Sequence, residues 1–354
     1  MRIAQVSPLI EAVPPKLYGG TERVVSYLTE ELVAQGHDVT LFASGDSETT
    51  ARLVSVCDSA LRLTSGCVDH LPYLVLLLDE VVRHWASFDV VHFHIDYIHY
   101  PWARRAPGAV LTTTHGRLDL PDLGPLYREF DELPIASISD AQRKPLPWLN
   151  WRKTVYHGLP HHLYRFHPEA GRYIAFLGRM SPEKGADKAI EIARRAGMPL
   201  KMAGKVDRAD AEYFRTVIAP LLDPAVVEFI GEIGEVEKDE FLGGAAALLF
   251  PIDWPEPFGL VLIEALACGT PVVAFGGGSV TEIIDDGLTG YVVSGVASAV
   301  QAVGRLDAID RADCRQVFER RFSSRRMAQD YLSLYRTLIA SGPPRLTSSL
   351  DPVG

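Results

Sequence analysis

Short runs rich in β-branched and aliphatic residues alternate along the chain with longer stretches of helical period. This is the pattern of parallel sheets covered by helices. In the first half the strand-like runs are Ile3 to Ser7, Val39 to Ala43, Val90 to His94, Val110 to Thr114 and Ile135 to Ile138. Between the first two, Thr21 to Gln35 places Val24, Val25, Leu28, Leu32 and Val33 on one helical face, and Gly36 ends it. After Arg165 to Arg172 the alternation restarts, with Tyr173 to Leu177, Leu200 to Ala203, Val226 to Ile230, Ala247 to Phe250 and Pro271 to Ala274. Helices fit over Lys184 to Arg195, Phe258 to Cys268 and, last, Ser323 to Ile339. The expectation is an α/β protein of two Rossmann-like domains, 1–165 and 166–322, divided near Phe166. The helix over 323–340 is expected to pack back toward the first domain. The Pro- and Ser-rich tail, 341–354, reads as disordered.

Composition narrows the function. A chain of 354 residues exceeds one ordinary core, which suits two domains. A formal net charge of -10 argues against a nucleic-acid partner, which needs a basic footprint. Cys57, Cys67, Cys268 and Cys314 lie far apart with no C-x-x-C pair, which favours a reducing compartment over a disulfide framework. The N-terminus reads as a strand rather than a signal peptide, and the apolar run Leu74 to Leu78 is bounded by Pro72 and Asp79. A bilayer span needs roughly 20 apolar residues. The expectation is a soluble, cytoplasmic protein.

Two segments carry candidate chemistry. In Asp253 to Gly269 a helix apolar nearly all round holds one carboxylate, Glu264, with no cation within two turns. A buried charge needs a partner, and the vicinal hydroxyls of a ribose would satisfy both its oxygens. The alternative is a structural helix whose Glu264 pairs with a distant Arg. Glu256, held outside the helix by Pro255 and Pro257, is expected to face the mouth of a site. There the amides of Phe258, Gly259 and Leu260 favour an anion. In Phe176 to Gly185, Ser181 suits an N-cap and Pro182 the first helical position. Arg179 and Lys184 therefore crowd the positive end of a helix, where a diphosphate would answer to both. Solvated surface charge, partly neutralised by Glu183, is the other reading.

Glu256 to Glu264 forms E-x7-E, and with G-R-x4-K-G over 178–185 it resembles the retaining family-four glycosyltransferases of the GT-B fold. Further matches follow in chain order: Gly19 to Glu22, Thr114 to Gly116, Ser137 to Ser139, His157-Gly158, Phe229 to Gly231, and Gly269 to Val273. The resemblance implies two domains facing each other across a cleft, with the donor on the second. It implies that Arg179 and Lys184 hold a diphosphate and Glu264 the ribose. Glu256 with the backbone of Phe258, Gly259 and Leu260 would contact the donor sugar, and Ile233, just past Gly231, the base. Gly19 and Gly20 would approach the phosphates, His115 would sit beside the reacting sugar, and closure about Phe166 would bring the two sets together. The activity implied is transfer of a hexose from a nucleoside-diphosphate sugar, UDP-glucose or a related UDP-sugar, with retention. The acceptor is left unnamed. No cofactor and no metal are implied, and no D-x-D is present to carry a divalent ion on the diphosphate.

One departure is Ile252, where family members often have serine; Asp253 and Trp254 are candidates for tuning sugar choice. His92, His94 and Asp96 alternate at a strand end, a face open to metal or to ordinary polar packing. Gly276 to Ser279 suits either a donor contact or a tight turn. Arg143, Lys144, Trp148, Trp151, Arg152 and Lys153 form a basic and aromatic cluster. It offers contact with a membrane surface or anionic acceptor, or a loop packing two tryptophans. Two rival functions remain: a sugar-nucleotide epimerase or hydrolase, and a non-catalytic sugar-nucleotide sensor.

Overall fold

A computed structural model describes residues 1–62 and 67–343. The last eleven positions of the expected tail, 344–354, lie outside the described residues. The chain divides into two compact units, one of 1–15, 19–156 and 327–354, the other of 16–18 and 157–326. The division at Tyr156 falls before the expected Phe166. The reason is local: Leu159 bridges to Ser323, and its amide donates to the Phe322 carbonyl, tying that stretch to the second unit.

Among the described residues the first unit holds seven strands: β1 (Arg2–Val6), β2 (Asp38–Phe42), β3 (Arg52–Val54), β4 (Val90–Phe93), β5 (Ala109–Thr113), β6 (Ile135–Ser137) and β7 (Trp151–Thr154). They are all parallel in the order β3-β2-β1-β4-β5-β6-β7. Helices cover both faces, so the central strands are buried nearly throughout, Ile3, Val6, Val91 and Phe93 completely. The helix Gly20–Ala34 turns Val24, Val25, Leu28 and Leu32 inward as its period requires. Leu74 to Leu78 belongs to the helix Leu71–His84, where Leu77, Leu78 and Val81 enter the core. Among the described residues no helix is long and apolar enough to cross a membrane.

The second unit has six parallel strands: β8 (Ile174–Leu177), β9 (Leu200–Ala203), β10 (Val227–Phe229), β11 (Ala247–Phe250), β12 (Val272–Phe275) and β13 (Gly290–Val293). Their order is β10-β9-β8-β11-β12-β13. In both sheets the order reverses once, between β1 and β4 and between β8 and β11. Adjacent loops leave such a point in opposite directions and open a crevice at the strand C-termini.

Strands β3, β7 and β13 were not expected. Each is short, and β7 is written Trp-Arg-Lys-Thr, an edge strand with no apolar alternation. It absorbs much of the basic and aromatic cluster. Lys153 pairs with Asp330 at 2.7 Å, the Trp151 indole donates to the Leu146 carbonyl at 2.9 Å, and Arg143 donates to Ser137 Oγ at 2.7 Å while lying over the Trp151 ring. Trp148 is left exposed.

Glu22, on the first turn of the helix Gly20–Ala34, is buried. Burial, with the charge of Glu11 adding to it, pushes its carboxyl up to about 7. A raised carboxyl stabilises the fold below its unfolded value, and that stability is lost as pH rises from the ordinary carboxylate range through about 7. Glu22→Gln is therefore expected to gain about 1–3 kcal/mol at pH 8 and almost nothing at pH 4.5. Denaturant titrations at both pH values check this; equal gains would mean the carboxyl does not titrate with folding.

Candidate functional site

The reversal in the second sheet brings the two motif-bearing loops together. One leaves β8 at Leu177 and the other leaves β11 at Phe250. In the first, Ser181 and Pro182 take the N-cap and first-turn positions expected of them, but the loop does not yet enter its helix there. It makes a single 3₁₀ turn over Pro182–Lys184, passes through Gly185, and only then starts the helix Ala186–Ala196. The cause is Gly185, left-handed at φ 71°, where a Cβ would sit 2.2 Å from the Pro251 carbonyl oxygen. Glycine alone meets both demands. The two loops touch there, which sets Lys184 beside Glu256.

Lys184 Nζ donates to Glu256 Oε2 and lies 4.7 Å from the centre of the Trp254 ring, whose indole donates to the same oxygen at 3.0 Å. Glu256 is buried, so it does not stand open at a mouth as expected. Its backbone is held by the loop after β12. Gly278, at φ 57°, would place a Cβ 2.1 Å from the Glu256 carbonyl oxygen, and Ser279 donates from its amide to that oxygen at 3.0 Å. Ser279 Oγ donates to the Phe258 carbonyl at 2.7 Å. The glycine run thus supports the E-x7-E segment.

Arg179 pairs with Glu183, and its Nε lies 3.6 Å from Asp210. The helix Leu260–Cys268 opens at Gly259 with no side-chain cap and buries Glu264. Glu264 has a cation that sequence reasoning missed: Lys238 Nζ lies 2.9 Å from Oε1, from the helix Glu235–Gly243 packed alongside. Lys238 is 26 residues away in sequence, and no local pattern marks it. Gly231 and Ile233 lie in the loop after β10. The Gly204 amide donates to the Gly231 carbonyl at 2.8 Å, which joins that loop to the end of β9. Lys184, Glu256, Phe258, Gly259 and Leu260 are thus brought together, while Arg179 and Glu264 each hold separate carboxylate or ammonium partners.

Gly19, Gly20 and His115 lie in the first unit. Gly19 precedes the helix Gly20–Ala34, and a Cβ there would strike the Pro15 ring at 2.8 Å. His115 follows β5 and is hydrogen-bonded to His94 at 2.9 Å. Burial pushes its imidazole down to about 3, so it is neutral at ordinary pH. His92 and His94 do not form a metal face with Asp96. His92 bonds Tyr335 and Thr113, and His94 bonds His115 and Gln5, so every ring nitrogen of the pair is engaged within the protein. Gln5, Thr113, Tyr331 and Tyr335 were also missed. Their only signal was a polar residue within a central strand, at Gln5 and Thr113.

The profile described as Glycosyl transferases group 1 matches residues 165–311, and that of Glycosyltransferase Family 4 matches 18–175. Phosphatidyl-myo-inositol mannosyltransferase of Mycobacterium leprae is 26% identical, covering 97% of this chain and 98% of its own. The solved structure of AviGT4, a glycosyltransferase involved in avilamycin A biosynthesis, is 25% identical with a TM-score of 0.74, covering 98% of this chain and 100% of its own. HepE of Anabaena, solved in complex with UDP and glucose, shares the fold at a TM-score of 0.73 and 17% identity, over 96% of this chain and 100% of its own.

Proposed function

The chain belongs to the family-four glycosyltransferases of the GT-B fold and is an enzyme of glycosyl transfer, and on that premise we propose that it moves a hexose from a nucleoside-diphosphate sugar to an acceptor hydroxyl, with retention. UDP-glucose or a related UDP-sugar is the donor of first choice, and the acceptor is a lipid, a saccharide or a small molecule. The observation that carries this reading is the meeting of Lys184 with Glu256 at the sheet reversal. One loop supplies a cation suited to a diphosphate, and the other a carboxylate suited to sugar hydroxyls.

Arg179 and Lys184 hold the diphosphate in this reading, Arg179 as a planar fork and Lys184 as a point charge. Each is already neutralised by carboxylates, so donor binding exchanges partners rather than filling an unpaired site. Glu264 takes the ribose hydroxyls while keeping Lys238 on one oxygen, and Glu256 with the backbone of Phe258 to Leu260 takes the sugar. Gly231 and Ile233 meet the base, and Gly19, Gly20 and His115 keep the roles that the family resemblance implies for them. As the bond from the anomeric carbon to the diphosphate oxygen breaks, the developing negative charge is stabilised by Arg179, Lys184 and the helix-end amides. The acceptor oxygen bonds to that carbon on the same face, and its proton leaves with the departing phosphate. No nucleophile is assigned at the anomeric carbon, and no metal.

The test is incubation with a panel of nucleotide sugars and no acceptor, following thermal stabilisation and nucleoside-diphosphate release. A melting shift with one donor and slow release is the expected result. Rapid isomerisation of the donor would instead make the enzyme an epimerase. No shift with any donor would remove the phosphate and ribose assignments together.

A further inference from the structure

Behind His115, the first unit contains an unbroken line of buried hydrogen bonds that ends on the C-terminal helix Ser324–Ser341. His94 Nδ1 lies 2.9 Å from His115 Nε2, and His94 Nε2 lies 2.8 Å from Gln5 Oε1. Gln5 Nε2 donates to Tyr335 Oη at 3.0 Å, and Tyr335 Oη lies 2.7 Å from His92 Nδ1. His92 Nε2 lies 2.7 Å from Thr113 Oγ1, which lies 3.0 Å from Tyr331 Oη. The imidazoles of His92 and His94 lie 4.0 Å apart between ring centres, and Gln5, His92, Thr113, Tyr331 and Tyr335 are wholly buried.

The direction of this line follows from the Gln5 amide. A carbonyl oxygen can only accept, so His94 donates from Nε2. With one proton on the His94 ring, Nδ1 is then the acceptor, and His115 must donate from Nε2. At the other side the Gln5 amide nitrogen can only donate to Tyr335. Tyr335 keeps its own proton to give to His92 Nδ1, in which case His92 donates from Nε2 to Thr113, which donates on to Tyr331. Each group gives one proton forward and accepts one from behind, from His115 to Tyr331. Reversing the Gln5 amide would reverse the first two links and move the His115 proton to Nδ1.

We propose that this relay, anchored through Gln5 on Tyr335 of the C-terminal helix, fixes the tautomer of His115 with the proton on Nε2. His115 Nδ1 is thereby an acceptor, able to accept a hydrogen bond from a sugar hydroxyl and unable to donate one to a phosphate oxygen. Gln5 and Tyr335 are positioning residues: Tyr335 stands three hydrogen bonds away from His115. The use made of the tautomer rests on the placement of His115 at the donor sugar; the tautomer itself does not.

The experiment is long-range ¹H–¹⁵N correlation NMR on histidine-labelled full-length protein, with His115 assigned by the signal lost in His115→Gln. The wild type is expected to show His115 as the Nε2–H form. Tyr335→Phe, which removes the acceptor that orients the Gln5 amide, and Gln5→Met, which cuts the line, are each expected to yield a mixture of both tautomers. They are also expected to lower kcat about tenfold, a loss comparable to one misplaced hydrogen bond. An Nδ1–H form in the wild type overturns the proposal even if neither variant folds, and so does an unchanged His115 in both folded variants. Tautomers that shift as expected while His115→Gln keeps full activity would leave the relay standing and remove His115 from the proposed site.

Discussion

Lys184→Ala is expected to lower kcat/KM for the nucleotide sugar by about 10²–10³-fold, the usual loss when one preorganised group facing developing charge is removed. The magnitude follows from the setting. The Lys184 ammonium is largely buried, fixed by Glu256 and the face of Trp254, so its charge is weakly screened and is already in place before a donor arrives. The same substitution strands Glu256, a buried carboxylate, and costs about 1–3 kcal/mol of stability. Two effects could therefore be confused, and a double variant separates them. Lys184→Ala with Glu256→Gln removes the stranded charge, so it should recover most of the melting temperature and none of the activity. Lys184→Arg keeps the charge but replaces a compact ammonium by a wide planar fork, and it should recover activity only in part. Full turnover in Lys184→Ala, measured as nucleoside-diphosphate release, would take the lysine out of the site.

Arg311→Met is expected to destabilise the second unit by about 3–5 kcal/mol while leaving the donor site intact. Arg311 is buried and spends its guanidinium on backbone rather than on an acid. Nε donates to the His167 carbonyl at 2.6 Å, Nη1 to Ala245 at 2.9 Å, and Nη2 to both Gly243 and Thr270 Oγ1 at 2.8 Å. Those groups lie before the N-terminal ends of β8, β11 and β12, opposite the strand ends where the motif loops meet. Methionine fills comparable volume but leaves the buried Ala245 and Gly243 carbonyls and the half-buried His167 carbonyl unpaired, and that desolvation outweighs any apolar gain. At about 2–4 °C per kcal/mol for a unit of this size, the melting temperature should fall by roughly 6–20 °C. Donor KM, measured well below the transition, should hardly change. A shift of only a degree or two would mean that water or backbone rearrangement satisfies the carbonyls once the arginine is gone.

Glu264 shows how far the sequence could be read. A lone carboxylate on an apolar helix demanded a partner, and a ribose or a distant arginine were the two choices open. The structure supplies Lys238, so the buried charge is satisfied without a ligand, and one carboxylate oxygen is held in advance. The basic and aromatic cluster went the same way. Read as a line it had no acid between its members; in the fold Asp330 and Ser137 reach it from other elements.

The alternation of strands and helices, the two parallel-sheet halves and the motif spacings of the family are all legible along the chain. These are recorded locally: in side-chain period, in glycines at left-handed positions that side chains rarely tolerate, and in charges set at fixed offsets. Only the tertiary structure decided that Gly185 would break the helix against Pro251, that Lys184 would close on Glu256, and that Lys238 would reach Glu264. It likewise decided that Tyr335 would be joined to His115 through Gln5 and His94. Those contacts join residues far apart in the chain. Their energies depend on burial and on hydrogen-bond geometry that exist only after the sheets have formed, so no window of sequence contains them.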